Sequence, residues 1–316
     1  MASHTKPRQG ETTGTGPTQQ SARERLIIFD TTLRDGAHSP LVAFSDHDRM
    51  AIAAQLNETG VDIVEVGRPA ASREEFLLVT AMSRVLEKVT VCALCRPTRQ
   101  EIEIAAEATH GARRRRLHTF ISTSPQQMQT QGLAAEDVLA AIATGLSEAR
   151  RFTDDIEWSS EDGSRSDVDF LCRCVEIAIK SGATTINIPD SAGHMLPHEY
   201  EALLRTLMER VPNAGRATFS VHCHNDLGLA LANTLAGIQG GARQVECTIE
   251  GLGARVGNTA TDEMLGILQG RAAAVPYRTN LNSGQIAKAG ELVRSMIGKP
   301  KAFPLKSGSG SRPDNA

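Results

Sequence analysis

His222-Cys223-His224-Asn225-Asp226 places two histidines, an asparagine and an aspartate within one short stretch, directly after the apolar run Thr218–Val221. In a strand, side chains alternate faces, so His222 and His224 point the same way, about 7 Å apart along the chain. Two imidazoles on one face, followed at once by oxygen donors, suit a divalent metal with mixed nitrogen and oxygen ligands. A bare His-x-His also occurs as two hydrogen-bonded strand histidines, so the surrounding elements have to decide between the readings.

Those elements recur roughly every thirty residues. Apolar, β-branched runs predict strands at Leu26–Asp30, Asp62–Val66, Val89–Leu94, Leu117–Ser122, Asp155–Ser159, Thr184–Ile188, Thr218–His222 and Gln244–Ile249. Helical periodicity lies between them, at Asp46–Thr59, Arg73–Leu86, Arg99–Thr109, Ala135–Arg151, Val168–Ser181, Pro197–Arg210 and Leu227–Gln239. Ser-Gly-Ala at 181–183 and Gly-Gly-Ala at 240–242 stand where helices should stop before the next strand. Eight strands alternating with helices indicate a parallel sheet, and eight is the number that closes an α/β fold into a (β/α)8 barrel. An open doubly wound sheet would be expected to show a glycine-rich dinucleotide turn after an early strand, and Asp30–Asp35 is not one. The barrel is expected over residues 25–275, preceded by a polar, disordered lead-in over 1–24 and followed by a C-terminal helix and tail over 276–316.

A net charge of -3 and an aromatic content of 3% argue against nucleic acid as a partner. No apolar run approaches the length of about 18 residues needed to span a bilayer, and nothing at the N-terminus marks export, so a cytoplasmic location is expected. The six cysteines, at 92, 95, 172, 174, 223 and 247, lack the paired spacing of a zinc ribbon and are expected as reduced thiols.

In a barrel of this kind chemistry gathers at the C-terminal ends of the strands. Read in order, those ends carry Asp30–Gly36, Glu65–Pro69, His118 and Thr119, Glu157–Asp162, Asn187–Ser191, the two histidines, and Glu250–Asn258. Strands seven, eight and one become neighbours on closure, which brings His222, His224, Asn258 and Asp35 to one side of the mouth. Such a set leaves room for two more ligands on a six-coordinate divalent ion, and the keto and carboxylate oxygens of a 2-oxo acid could supply both. The ion would polarise the keto carbon, and Arg34 could stabilise charge developing on oxygen.

The segments DTTLRDG (30–36), EVGRPAAS (65–72), RLHTFISTSP (116–125), TDDIEWSSEDGSRS (153–166), TTINIPDSAG (184–193), SVHCHNDLGLALANT (220–234) and GARQVECTIEGLGARVGN (241–258) resemble the catalytic barrel of the 2-isopropylmalate synthases. The wider group includes homocitrate, citramalate and (R)-citrate synthases and related lyases. The likeness runs over roughly residues 26–300. It implies a TIM barrel, a divalent metal (Mn, Co, Mg or Zn), and a Claisen-type addition of acetyl-CoA to a 2-oxo acid followed by thioester hydrolysis. It also implies a homodimer. By motif, Asp35, His222, His224 and Asn258 would hold the metal and Arg34 would be the catalytic arginine. His118, Glu161 and Ser191 would contact the 2-oxo acid or position its oxygens.

Departures from the family pattern sharpen the expectations. Where the family usually reads DGEQ this chain has Asp35-Gly36-Ala37-His38, and His38 becomes a candidate for proton transfer, as in related aldolases. Where isopropylmalate synthases usually read GFP it has Gly67-Arg68-Pro69. An Arg68 facing the pocket would imply a second anion on the acceptor, as for 2-phosphinomethylmalate, homocitrate or (R)-citrate synthases. With Arg68 turned elsewhere, 3-methyl-2-oxobutanoate is the expected acceptor. The chain stops at Lys306–Ala316, before the family's histidine-bearing subdomain and its leucine-sensing domain. A non-catalytic truncated relative and an aldolase or lyase of the same superfamily therefore stand as alternatives. The loop Gly251–Asn258 has no cysteine, which argues against a cysteine-dependent lyase. The run Arg113–Arg116 is expected to be a solvated connection into strand four.

Overall fold

The computed structural model describes residues 23–298, so the lead-in expected over 1–24 and the end of the tail fall almost entirely outside the described residues. Within them eight parallel strands close into a barrel. They are β1 (Ile27–Asp30), β2 (Ile63–Gly67), β3 (Thr90–Cys95), β4 (Arg115–Ser122), β5 (Ile156–Glu161), β6 (Thr185–Asp190), β7 (Thr218–Cys223) and β8 (Gln244–Cys247). Each bonds to the next in the chain, and β8 returns to β1 with Gln244 opposite Ile27 and Cys247 opposite Asp30. The (β/α)8 expectation holds, with every predicted strand found.

The two faces of the strands differ in chemistry. Outward positions carry Val64, Val91, Leu117, Ile156, Trp158, Ile186, Val221 and Val245, all buried in one core shared with the helices. Inward positions hold a small apolar plug of Phe29, Ile63 and Cys92, with Leu94, Phe120 and Pro189 above it at the mouth. Buried polar side chains fill much of the remainder, among them Glu65, His118, Glu157, Ser159, Asn187, Ser220, Gln244 and Glu246. The apolar strand bodies read from the sequence are mainly the outward half.

Arg116 corrects a further expectation. It is 6% exposed, and its guanidinium donates to Asp155 at 2.6 Å, Glu157 at 2.8 Å and Gln244 at 2.7 Å. A charge taken out of water persists only with such partners. Arg113 and Arg114 remain exposed ahead of the strand, as expected of a solvated connection, while Arg115 and Arg116 open β4 and the last lies inside the barrel.

The surrounding helices are α1 (Asp46–Leu56), α2 (Arg73–Val85), α3 (Arg99–Ala108), α4 (Pro125–Gln131), α5 (Ala135–Ala149), α6 (Val168–Lys180), α7 (Pro197–Arg210), α8 (Ala230–Gln239), α9 (Thr261–Gly270) and α10 (Ser283–Met296). Ser45, Ser72, Thr98 and Asp167 cap α1, α2, α3 and α6 by accepting from backbone N–H groups of the first turn. The short α4 and the helix α9 were not foreseen. α10 buries Ile286, Ala289, Gly290 and Val293. The Gln55 amide of α1 donates to the carbonyl of Gln285 at 3.1 Å, and Asn282 N donates to Thr59 O at 2.8 Å. α10 therefore serves as a wall helix beside α1. A two-residue parallel pair, Glu24–Arg25 with Tyr277–Arg278, lies just before β1. All six cysteines are free, and no described helix is long and apolar enough to cross a membrane.

Candidate active site

The C-terminal ends of the strands surround a cavity of about 580 Å³ lined by Arg34, Asp35, His118, Glu161, Ser191, His222 and His224, among others. Seven of the residues singled out from the sequence thus share one space. Asn258 joins them from behind, donating its amide to Asp35 Oδ2 at 2.6 Å.

Hydrogen bonds fix how the two histidines present themselves. His222 Nδ1 lies 2.7 Å from Glu246 Oε2 on the adjacent strand, and a bond to that carboxylate requires the proton on Nδ1. His224 Nδ1 faces Gly257 O at 3.3 Å. Both Nε2 atoms are left to converge, 3.3 Å apart, with Asp35 Oδ2 at 4.0 Å from one and 3.9 Å from the other. All four side chains are buried, and Asn258 Oδ1 has no hydrogen-bond partner among the described residues.

The donor set fits a divalent ion. Two imidazole nitrogens aimed at one another have little reason to approach so closely unless they share an ion or a proton. A carboxylate behind the imidazole and an orphaned amide oxygen beside it complete the pattern of an oriented ligand shell.

The electrostatics agree with the geometry. Burial works against the Asp35 carboxylate, yet Arg34 and the histidines hold it well below the usual range. Burial and the neighbouring His222 together push His224 down to about 4. His222 is raised, because Glu246 outweighs its burial.

Glu65, on β2, ties the arginine to the rest of the site. One oxygen accepts from Arg34 Nε at 2.6 Å and from Thr31 Oγ1 at 2.6 Å, while the other lies 2.8 Å from His118 Nδ1. Burial opposes its charge, but Arg34 and His118 prevail and hold the carboxyl at about 2. Arg34 Nη1 donates to Asp35 Oδ1 at 2.8 Å. Its Nη2 has no protein partner among the described residues and is the donor left for the cavity. His118 Nε2 meets Ser159 Oγ at 2.6 Å, and that hydroxyl also accepts from Asn187 at 2.9 Å. Glu161 Oε2 accepts from Ser122 and, at 3.5 Å, from Gln131. Ser191 Oγ accepts from Asp162 N at 3.1 Å.

Two sequence candidates lie elsewhere. His38 is exposed at the end of a short 3-10 turn, Gly36–His38, and is not among the lining residues. Arg68 turns to α3, where Nη2 donates to Glu101 Oε1 at 2.7 Å and Nε to Oε2 at 3.2 Å. Its guanidinium also sits 5.8 Å from the ring centroid of Phe120, and it is Phe120, with Leu94 and Pro189, that reaches the cavity. The anion that Arg68 calls for is supplied by the protein itself. The sequence places Glu65 at a strand end but leaves its supporting role, and Glu246 altogether, unassigned. The period-2 parity of their strands, which sets Glu65 on the face of Ile63 and Glu246 on that of Gln244, was the available signal.

Comparison with known proteins follows the same lines. The HMGL-like family matches residues 25–293. The chain is 50% identical over 287 residues to a 2-isopropylmalate synthase of Methylobacterium nodulans, covering 90% of this chain and 55% of that protein. It is 46% identical to that of Methylorubrum populi over the same shares. The chain therefore spans about half the length of the curated relatives it matches. Among solved structures, an HMG-CoA lyase of Bacillus subtilis superimposes with a TM-score of 0.74 at 22% identity, over 89% of this chain and 96% of the other. An HMG-CoA lyase of Pseudomonas aeruginosa gives 0.74 at 20% identity, over 89% and 96%. At that identity the likeness is one of fold.

Proposed function

The chain belongs to the HMGL-like family, and on that premise we propose that it joins the methyl carbon of acetyl-CoA to the keto carbon of a 2-oxo acid and hydrolyses the thioester, giving a 2-substituted malate. The observation that carries this reading is the convergence of Asp35, His222 and His224 beside an arginine with one donor free. Relatives at 46–50% identity bear the name 2-isopropylmalate synthase, which supports the same reaction class.

A divalent ion held by Asp35, His222, His224 and Asn258, whether Mn, Co, Mg or Zn, would supply a Lewis acid for the keto group. Arg34 Nη2 donates to the oxygen on which charge develops as the new carbon–carbon bond forms. Glu65 holds that guanidinium in one orientation, so no reorganisation is needed at the moment of reaction. Glu161 keeps one carboxylate oxygen towards the cavity and takes the proton lost from the acetyl methyl group. Ser191 and His118 orient the 2-oxo acid. Water then adds to the thioester carbonyl and CoA leaves as the thiol. A homodimer belongs to the same reading.

The wall formed by Leu94, Phe120 and Pro189 is apolar, and Arg68 is already paired. Both features favour a branched apolar acceptor, 3-methyl-2-oxobutanoate, over a dianionic one. Thiol release from acetyl-CoA, measured with a panel of 2-oxo acids on protein of known metal content, tests the reading. Release with none of them removes it, and release with dianionic acceptors alone removes the choice of substrate.

A further inference from the structure

Among the described residues, three other than glycine hold a positive φ: Asp162 at 60°, Glu250 at 58° and Arg255 at 58°. Two of them lie in the segment that leads from β8 to Asn258. A side-chain-bearing residue persists in this left-handed region only where its surroundings hold it there. For Arg255 the holder is the rim of the cavity: Asp226 accepts from both Nε and Nη2 at 2.8 Å, and Ser191 O accepts at 2.7 Å.

For Glu250 the holder is outside the site. Its Oε1 pairs with Arg294 Nη1 on α10, and α10 has a glycine where the carboxylate lies. A Cβ at Gly290 would come within 2.6 Å of Glu250 Oε1 and 3.0 Å of Arg294 Nη1. From Glu250 the path to Asn258 is short. Gly251 O accepts from Asn258 N at 2.9 Å, and Leu252 O accepts from Asn258 Nδ2 at 3.1 Å. The strands of this loop approach so closely that a Cβ on Gly257 would lie 2.2 Å from Gly251 O.

We infer that Arg294 and Glu250 are a positioning pair, pinning the turn after β8 to α10 and thereby setting where Asn258 stands in the ligand group. Neither residue touches ion or substrate. The inference rests on the reading of Asp35, His222, His224 and Asn258 as a metal site.

Titration calorimetry with Mn²⁺ on the full, metal-stripped chain tests it, with the thermal midpoint of the metal-free protein as companion. Arg294→Met should weaken Mn²⁺ binding by about tenfold, the lower end of what removing support behind a metal ligand does. Arg294→Lys should keep most of the affinity. Gly290→Ala separates positioning from mere packing. Alanine gains helix propensity here but its Cβ crowds the Glu250 carboxylate, so a purely structural Gly290 would move the midpoint alone and leave Mn²⁺ affinity unchanged. A positioning role predicts instead that Gly290→Ala weakens Mn²⁺ as Arg294→Met does. Unchanged affinity in Arg294→Met and Gly290→Ala, with a wild type that binds, overturns the inference. A wild type that binds no Mn²⁺ overturns the site reading beneath it.

Discussion

Glu246 and His222 face each other across β7 and β8 with Oε2 2.7 Å from Nδ1. That contact decides which imidazole nitrogen is left for a metal. Glu246→Gln keeps the shape and a carbonyl acceptor but removes the charge that draws the proton to Nδ1. Divalent-ion affinity should fall by about ten- to a hundredfold, the range seen when the carboxylate behind a ligating histidine is lost. Calorimetric titration of the metal-stripped variant measures it. Affinity within twofold of wild type would reduce Glu246 to a packing role.

Arg34 is the test of the charge-stabilising step. Arg34→Lys retains a positive charge but cannot bond Glu65, Asp35 and the cavity together, because it lacks the planar fork. The barrier should rise by about 2.7–4 kcal/mol, lowering kcat, while acceptor KM changes little. Steady-state kinetics with unchanged kcat would make Arg34 structural.

Phe120 and Arg68 make opposite predictions about acceptor choice. Phe120→Ala removes part of the apolar wall and should let longer 2-oxo acids compete with branched ones, shifting the kcat/KM ratio by about ten- to a hundredfold. Arg68→Ala should leave the ranking of acceptors unchanged and lower thermal stability slightly, since its partly exposed pair with Glu101 is worth about 1 kcal/mol. A switch of acceptor class in Arg68→Ala would return that residue to the pocket.

Asp30 gives a pH dependence that needs no metal. It is fully buried, accepts only from Thr32 N at 2.9 Å and Thr32 Oγ1 at 3.1 Å, and burial pushes its carboxyl up to about 7. Between its unfolded value near 3.8 and 7 the folded chain holds a proton that the unfolded chain has released. This contribution to stability is therefore fully present below the lower value and is lost as pH rises towards the upper one. Asp30→Asn cannot titrate, so the stability of wild type relative to the variant should fall across that window, by up to about 1.4 kcal/mol per pH unit. Urea unfolding of the two proteins at pH 5, 6 and 7 would show the divergence, and parallel curves would dispose of it.

The barrel was legible because outward residues such as Val64, Val91, Ile186 and Val245 repeat at the strand period and must be covered. The clustering of Asp35, His222, His224 and Asn258 was legible because they lie at or just past strand ends, where closure has to gather them. The roles of Glu65 and Glu157, named only as strand-end residues, and the place of Glu246 were not, since a carboxylate inside a strand reads as solvent-facing until closure turns that face inward. Arg68 was placed at the right end of the right strand, but its partner Glu101 lies 33 residues later on α3, and no local rule joins them. His38 failed for a similar reason. A residue beside a ligand in sequence can leave on a short turn and end in solvent.

The hydrogen bond from Asn258 to Asp35 spans 223 positions of the chain, and its lateness in synthesis follows. A ribosome delivers Asp35 early and Asn258 only after the eighth strand has emerged, so the ligand group cannot exist on a partial chain. Until then β1 has no β8 to pair with and remains an open edge, while the entropy of joining such distant segments is paid in one final step. Any ion that needs Asp35 and His222 together sees the closed ring alone and stabilises it by mass action. On the proposed metal reading, supply of that ion during translation would add to the stability of the closed ring.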